Sequence, residues 1–410
     1  MLNKLWISFF LVSFLAALYT WLVLGEFEVF NQIVESIFNM SKLSAEIALG
    51  LIGVLAFWCG LMKLAEQSGF ANGLARLLGP LFKHLMPEVP KGHPALGYVS
   101  MNMASNMMGL DNAATPIGLK AMQSLQTLNP KPDTASNAQI LFLVLNTSSV
   151  TIFPVTIIMY RLQQGAASPT EIFLPILLAT IMSTMVGLMS VAIAQKLNIL
   201  RWTVIGYFAT GFLLVGGLLA WLMHLPAEEM AAMSAGVGNG LLFTAIVSIV
   251  LLAYIKKVEV YDNFIEGAKE GFEIAVKIIP YMVAMLVAIG VLRASGVLSK
   301  ITDSITWLMR QVGLDTGFVE ALPTALMRPF SASGSRAMML ETMNTYGVDS
   351  FVAKVASVMQ GSTETTFYVI TVYFGAVGIK KVRHAISCGL IADFAGIVAA
   401  ILVSYWFFAV

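Results

Sequence analysis

The run Leu5–Leu24 holds no charged residue, and it matches the roughly 20 apolar residues a helix needs to cross about 30 Å of hydrocarbon. Comparable runs recur toward the C-terminus. Lipid offers the backbone no hydrogen bonds, so spanning segments must be helices or strands of a closed barrel. The runs lack the alternation of strands, which selects helices. Composition agrees, since hydrophobic residues make up 58% and charged residues 11% of the 410 positions, against roughly 25% charged in soluble domains. The expected fold class is an all-α, polytopic membrane protein.

Several function classes drop out. A net charge of +1, with no lysine- or arginine-rich block, gives no footprint for nucleic acid. Cys59 and Cys388 both lie inside apolar runs, where cysteine behaves as a small hydrophobe. His84, His93, His224 and His384 are scattered without ligand spacing, so no metal site and no cofactor is expected. The first run is too long for a signal peptide and lacks a small-residue cleavage site, so it is read as the first span.

About nine full spans can be read, at 5–25, 44–66, 136–160, 172–196, 200–223, 235–255, 274–294, 351–376 and 385–408. Two intervening regions are too polar or too interrupted to be ordinary spans. Each opens with an amphipathic stretch, Phe70–Phe82 and Leu298–Arg310, that suits a helix lying in the interface. Each continues into two short segments around a Gly/Ser/Asn-rich apex, at 93–122 and about 317–343, which predicts a re-entrant helical hairpin.

The two regions also match each other. Gln67-Ser68-Gly69-Phe70 resembles Ala294-Ser295-Gly296-Val297, and Asn146-Thr147-Ser148-Ser149 with Phe153 resembles Gln360-Gly361-Ser362-Thr363 with Phe367. An acidic amphipathic segment precedes each match, at 26–39 and 259–273. This is an internal repeat. Four spans and a returning hairpin end each copy on the side where it began, so the odd span at 200–223 inverts the second copy. The expected organisation is a first repeat at 1–197, a linking helix at 198–230 and a second repeat at 231–410. Inverted repeats place a substrate site near the bilayer midplane, where broken helices meet. With the N-terminus in the cytoplasm, most lysines and arginines fall inside. The exceptions are Arg161, Arg293, Lys300, Arg310, Arg328, Arg336 and Lys354.

Polar residues inside apolar runs mark the candidate site. Gln360, Ser362, Thr363, Glu364 and Thr365 cluster within the span 351–376. An acid at a helix centre costs about 2.5–3.5 kcal/mol on insertion scales, so it should face a cavity or a partner, with Gly361 letting the helix unwind. The alternative is a helix–helix contact held by hydroxyl hydrogen bonds. Asn146, Thr147, Ser148 and Ser149 occupy the matching place, with Val150 opposite Glu364. The first hairpin apex carries Ser105 and Asn106, and its Asp111 and Asn112, with Thr115 in the first turns behind them, suit a helix N-terminus that caps itself or holds an anionic group. At the second, Ser331, Ser333 and Ser335 permit close backbone approach, and Arg328 and Arg336 can pair with Glu364 or with an anionic substrate. Asp393, isolated within the last span, is a candidate for proton or sodium coupling or for a structural hydrogen bond.

At this point the residues resemble a known group. Met107 through Lys120, including Gly109-Leu110-Asp111-Asn112-Ala113-Ala114-Thr115-Pro116, resembles the signature of spore maturation protein A. Arg328-Pro329-Phe330-Ser331, Gln360-Gly361-Ser362-Thr363-Glu364-Thr365-Thr366 and Val372-Tyr373-Phe374-Gly375 resemble spore maturation protein B. The resemblance implies a fusion of two proteins of the nucleoside-recognition, or gate-domain, group. That group also includes parts of concentrative nucleoside transporters and of the ferrous iron transporter. By position, the hairpin apices and the two breaks would frame a small polar solute, nucleoside-like in the related transporters, and a coupling ion, H⁺ or Na⁺. The full motif set of a nucleoside transporter is absent, so nucleosides do not follow as substrate. The expectation is a non-enzymatic, multi-pass protein of the bacterial inner membrane, in contact with lipid. The spans at 5–25 and 235–255 are the candidates for a homo-oligomer interface.

Overall fold

The computed structural model describes residues 2–109, 111–197, 202–222, 224 and 226–408. The first part of the chain forms α1 (Leu2–Leu24), α2 (Glu28–Gly50), α3 (Ile52–Ser68), α4 (Phe70–Leu85), α5 (Pro94–Met107), α6 (Asp111–Gln126), α7 (Asn137–Thr147), α8 (Val155–Gln163) and α9 (Phe173–Gln195). The second forms α10 (Trp202–Leu222), α11 (Ala227–Ile255), α12 (Val260–Ala294), α13 (Val297–Gln311), α14 (Leu322–Met327), α15 (Ala332–Tyr346), α16 (Phe351–Ser362), α17 (Thr366–Ala376) and α18 (Ala385–Phe408). Among the described residues there is no strand, only a single parallel bridge between Thr134 and Lys381. The chain is an all-α, polytopic membrane protein.

Five of these helices are long and apolar enough to cross a membrane, or six when α2 and α3, bent by 42°, count as one. The expected spans 136–160 and 351–376 are each broken into two short helices, none of them long enough to cross a membrane alone. The expected span 200–223 extends past the described residues at both ends. The acidic stretches at 26–39 and 259–273 are not separate elements. Each is the first part of a long helix that continues into the apolar run behind it, α2 in one case and α12 in the other.

The two halves share an element order. Gly69 and Gly296, at φ +68° and +74°, end the long helix and start the amphipathic α4 and α13; only glycine takes that backbone without strain. A hairpin follows, α5 with α6 in one half and α14 with α15 in the other, then a broken helix and a long helix. The two broken helices approach their breaks from opposite sides. The amide of Glu364 donates to the Thr147 carbonyl at 2.7 Å, so α7 ends where α17 begins. The burial pattern carries the same exchange. One core joins α14, α15 and α16 to α8, and the other joins α5, α6 and α7 to α17.

Each end of the bundle is closed by a loop of one half lying on the other. At one end Lys380 and Lys381 donate their amides to the Asp133 carbonyl at 2.8 and 2.9 Å, and Ala135 donates to the Lys381 carbonyl at 3.0 Å. There the Thr134 hydroxyl, and then Lys381, hold the Asp133 carboxyl below the usual carboxylate range. At the other end the buried guanidinium of Arg161 reaches Glu171 at 2.7 Å, Asp349 at 3.3 Å and the Val348 carbonyl at 3.1 Å. Lys354 also meets Glu171, at 3.0 Å. A buried cation is tolerable only with such paired and hydrogen-bonded partners.

α12 runs antiparallel against α2 and α3. A Cβ placed on Gly271 would stand 2.5 Å from the Leu55 carbonyl oxygen, so this close approach depends on glycine. The same packing lets Lys63 meet Glu266 at 3.1 Å and Glu270 at 3.2 Å.

Candidate functional site

Thr363 and Thr365 leave helical geometry, at φ −149°, ψ 174° and φ −85°, ψ 93°, and this opens the helix between α16 and α17. Residues 148–154 open its counterpart between α7 and α8. An opened helix exposes backbone groups that need partners when buried, and each hairpin apex supplies them. In the first half the Met107 carbonyl accepts the Ile152 amide at 2.8 Å. In the second the Pro329 carbonyl accepts the Phe367 amide at 3.0 Å.

Side chains reinforce both latches. Asn106 donates to the Asn146 side-chain oxygen at 2.9 Å, and Asn102 ties the hairpin to itself through the Ala114 carbonyl at 2.7 Å. At the second apex Arg328 donates through Nε to the Thr363 carbonyl at 2.7 Å, adds a shorter contact from Nη2, and pairs with Glu364 at 3.3 Å. Phe330 stacks on Phe367 with ring centroids 5.3 Å apart. Ser335 holds Gln360 and also donates to the Thr324 carbonyl at 2.7 Å.

Gly361 does not do what the sequence suggested. It stays helical, and a Cβ there would stand 2.8 Å from the side chains of Ile157 and Ile176. Its role is close packing beneath the break, which begins at Thr363.

Between the latches lies a cavity of about 350 Å³. Of the predicted residues, Asn106, Thr115, Asn146, Ser149, Arg328, Arg336, Gln360, Glu364 and Thr365 line it. Glu364 keeps 46% of its side chain exposed there, while Arg328 keeps 6%. The arginine is therefore part of the wall and the carboxylate part of the opening.

The other predicted residues stand elsewhere. Thr147 and Ser148 donate to the Leu143 and Val144 carbonyls one turn back, at 3.2 and 2.9 Å, and Ser362 donates to the Met359 carbonyl at 2.8 Å. Ser331 caps α15 by accepting the Gly334 amide at 3.0 Å and lies 3.2 Å from the Ser333 hydroxyl. Ser105 and Thr363 are buried behind the cavity wall. Asp393 is 2% exposed and accepts the Thr366 hydroxyl at 2.6 Å. Among the described residues, the hydroxyls of Ser149 and Thr365 have no hydrogen-bond partner. Leu110 and the side chains of Asp111 and Asn112 lie outside the described residues.

Three tyrosines that the sequence reading did not count among the site residues also line it: Tyr160, Tyr368 and Tyr373. The ring of Tyr160 lies 5.4 Å from the Arg336 guanidinium, and the Tyr373 hydroxyl lies 3.5 Å from the Asn146 side-chain oxygen. No group of three or more metal-binding side chains occurs among the described residues.

Comparison with known proteins agrees with this architecture. The family model described as Gate, nucleoside recognition, matches residues 48–162 and again 275–380. Spore maturation protein B of Bacillus subtilis (strain 168) is 51% identical over 158 residues, which cover 38% of this chain and 87% of that protein. Spore maturation protein A of the same organism is 39% identical over 183 residues, covering 45% of this chain and 90% of that protein. No solved structure matches. The chain belongs to the nucleoside-recognition Gate family, with two copies of the domain and counterparts of both spore maturation proteins in one polypeptide.

Proposed function

We propose that the chain is a secondary transporter that binds a small polar solute between its two hairpins and two broken helices. One observation carries the reading. Polar groups from four separate, symmetry-related breaks converge on one cavity of about 350 Å³, within the range of small-molecule sites. Packing alone has no need for such convergence. The family description, nucleoside recognition, favours a nucleoside-like solute.

In this reading Glu364 and Asp393 couple transport to H⁺ or Na⁺. Support comes from the half-exposed carboxylate of Glu364 at the cavity and from the buried carboxyl of Asp393 beside the break. Both are intramembrane acids, which default to functional roles. The halves 1–197 and 231–410 act as inverted repeats joined by 198–230, in about nine spans.

The N-terminus lies in the cytoplasm of a bacterial inner-membrane protein. The cations that sit on the wrong side in this orientation are mostly matched. Arg161 and Lys354 meet Glu171, Arg293 meets Glu341, and Arg328 meets Glu364.

The test is uptake into proteoliposomes across a panel of nucleosides, nucleobases and amino acids, with imposed proton and sodium gradients. Gradient-dependent uptake that is lost in Glu364→Gln is expected. A folded protein that moves no member of the panel under any gradient would end the reading as a transporter of nucleosides, nucleobases or amino acids. The names of the relatives favour a second one, a membrane factor in envelope or spore maturation that uses the same fold as a scaffold. A stable co-purifying protein, with a phenotype unmoved by Glu364→Gln, would select it.

A further inference from the structure

A second, apolar pocket adjoins the cavity at one residue. Arg336 lines the central space and also a smaller pocket of about 150 Å³ between α12 and α15. That pocket is walled by Ile278, Tyr281, Met282 and Leu286 of α12 and by Ala337 and Leu340 of α15. Its outer rim belongs to a helix long and apolar enough to cross the membrane, and the outward face of that helix carries exposed Phe272, Val276 and Tyr281. Pro280 sits beside the rim and lacks the amide that would close the ladder to Val276. One cationic side chain thus stands where a polar chamber meets an apolar groove that faces the lipid side of α12.

Arginine suits that junction. Its planar fork binds phosphate or carboxylate in a fixed orientation, and its stem can lie along apolar surface. The Tyr160 ring at 5.4 Å steadies the guanidinium from the chamber side, so the fork has a defined orientation at the threshold. A solute that was polar throughout would have no use for the groove, and a simple hydrocarbon would have none for the chamber.

We infer that the molecule bound here is an anionic amphiphile, with a phosphate or carboxylate head in the central chamber at Arg336 and an acyl or prenyl chain leaving between α12 and α15 toward the lipid. The inference rests on the reading that the chamber binds a solute. It names that solute's class and gives it a lateral path of entry.

The experiment uses the full chain in phosphatidylcholine nanodiscs and a dodecyl phosphate with a photoactivatable diazirine at the chain end. The matching dodecyl alcohol probe lacks the head, and methyl phosphate lacks the chain. Labelling is mapped by peptide mass spectrometry. Cross-links from the phosphate probe are expected within Ile278–Leu286 and Ala337–Leu340, competed by unlabelled dodecyl phosphate and not by methyl phosphate. They should fall at least fivefold in Arg336→Gln, and equally in Ser333→Phe, which plugs the groove at its half-buried rim. Thermal unfolding of both variants checks that they fold.

Equal labelling by the alcohol probe, or labelling unchanged in both folded variants, would overturn the inference. Thermal stabilisation by adenosine or methyl phosphate, with no labelling of the groove, would overturn it while leaving the solute-binding reading intact. No labelling together with no stabilisation by any of these compounds would remove both.

Discussion

The two hairpin latches hold equivalent breaks with different chemistry. Hairpin 1 uses neutral groups, a backbone bond from Ile152 and an amide pair between Asn106 and Asn146. Hairpin 2 adds charge. Arg328 spans the buried Thr363 carbonyl, freed by the break, and the Glu364 carboxylate, and a stacked pair of phenylalanines closes over them. Val150 stands where the second half has Glu364, so the first break has no acid to neutralise. Among the described residues, one fold therefore carries a neutral latch and an ionic one, and of these contacts the ionic ones can change their charge with a ligand or a proton.

The largest effect is expected from Arg328→Met. The substitution keeps the stem and removes every donor to the Thr363 carbonyl. A buried acceptor left without a donor costs about 1–3 kcal/mol, and the loss should approach the top of that range because Arg328 is nearly fully buried. Glu364 adds little to the loss, since its half-exposed carboxylate can turn to water. Thermal unfolding in detergent measures it. An effect no larger than that of the first-half variant below would break the contrast between the latches.

That variant is Asn106→Ala, expected to cost about 1 kcal/mol, the net worth of an ordinary hydrogen bond. The bond from the Ile152 amide to the Met107 carbonyl persists without it, and Asn146 keeps its own donation to the Phe142 carbonyl at 2.9 Å. A loss as large as that of Arg328→Met would mean that the amide pair, and not the backbone bond, holds the first break.

How far the sequence shows this contrast depends on what a residue does. The breaks are legible because polar residues within apolar runs are costly and therefore few. Glu364 and Asn146 identify both, and the repeat pairs them. The facing of each hydroxyl is not legible. Thr147, Ser148 and Ser362 bond carbonyls of their own helices, a local choice that competes with any outward role and is set by where the helix opens. The sequence suggested opening at Gly361, and the helix opens two residues later. Tyr160 and Tyr373 were not counted as site residues, because a lone tyrosine in an apolar run carries no signal of where its hydroxyl points, and the contact between the halves brings them to the chamber. The two long acidic helices were read in pieces because their amphipathic starts have a different hydrophobic period from the apolar runs they enter.

A smaller effect sharpens the comparison. Phe330→Leu keeps most of the apolar area and loses the stacked geometry over Phe367, so about 0.5 kcal/mol is expected, the low end for an aromatic pair, because Phe330 is 39% exposed. Arg328 and Phe330 flank Pro329, whose carbonyl holds the Phe367 amide. A double-mutant cycle between them should show coupling, since neighbours that share a partner depart from additivity. Simple addition would mean that the ionic and aromatic parts of the latch act independently.

The smallest effect on stability belongs to the residue with the largest proposed role. Glu364→Gln removes one side of an ion pair whose acid is half exposed, and such pairs contribute about 0.2–1 kcal/mol. The buried Arg328 keeps its carbonyl partner, so no donor is stranded. Thermal unfolding should therefore barely move, while gradient-driven uptake is lost. That separation would assign the charge of the ionic latch to function, because the neutral latch shows that the fold can close a break without it. A large loss of stability in Glu364→Gln would reverse the assignment and make the charge a structural device of the second half.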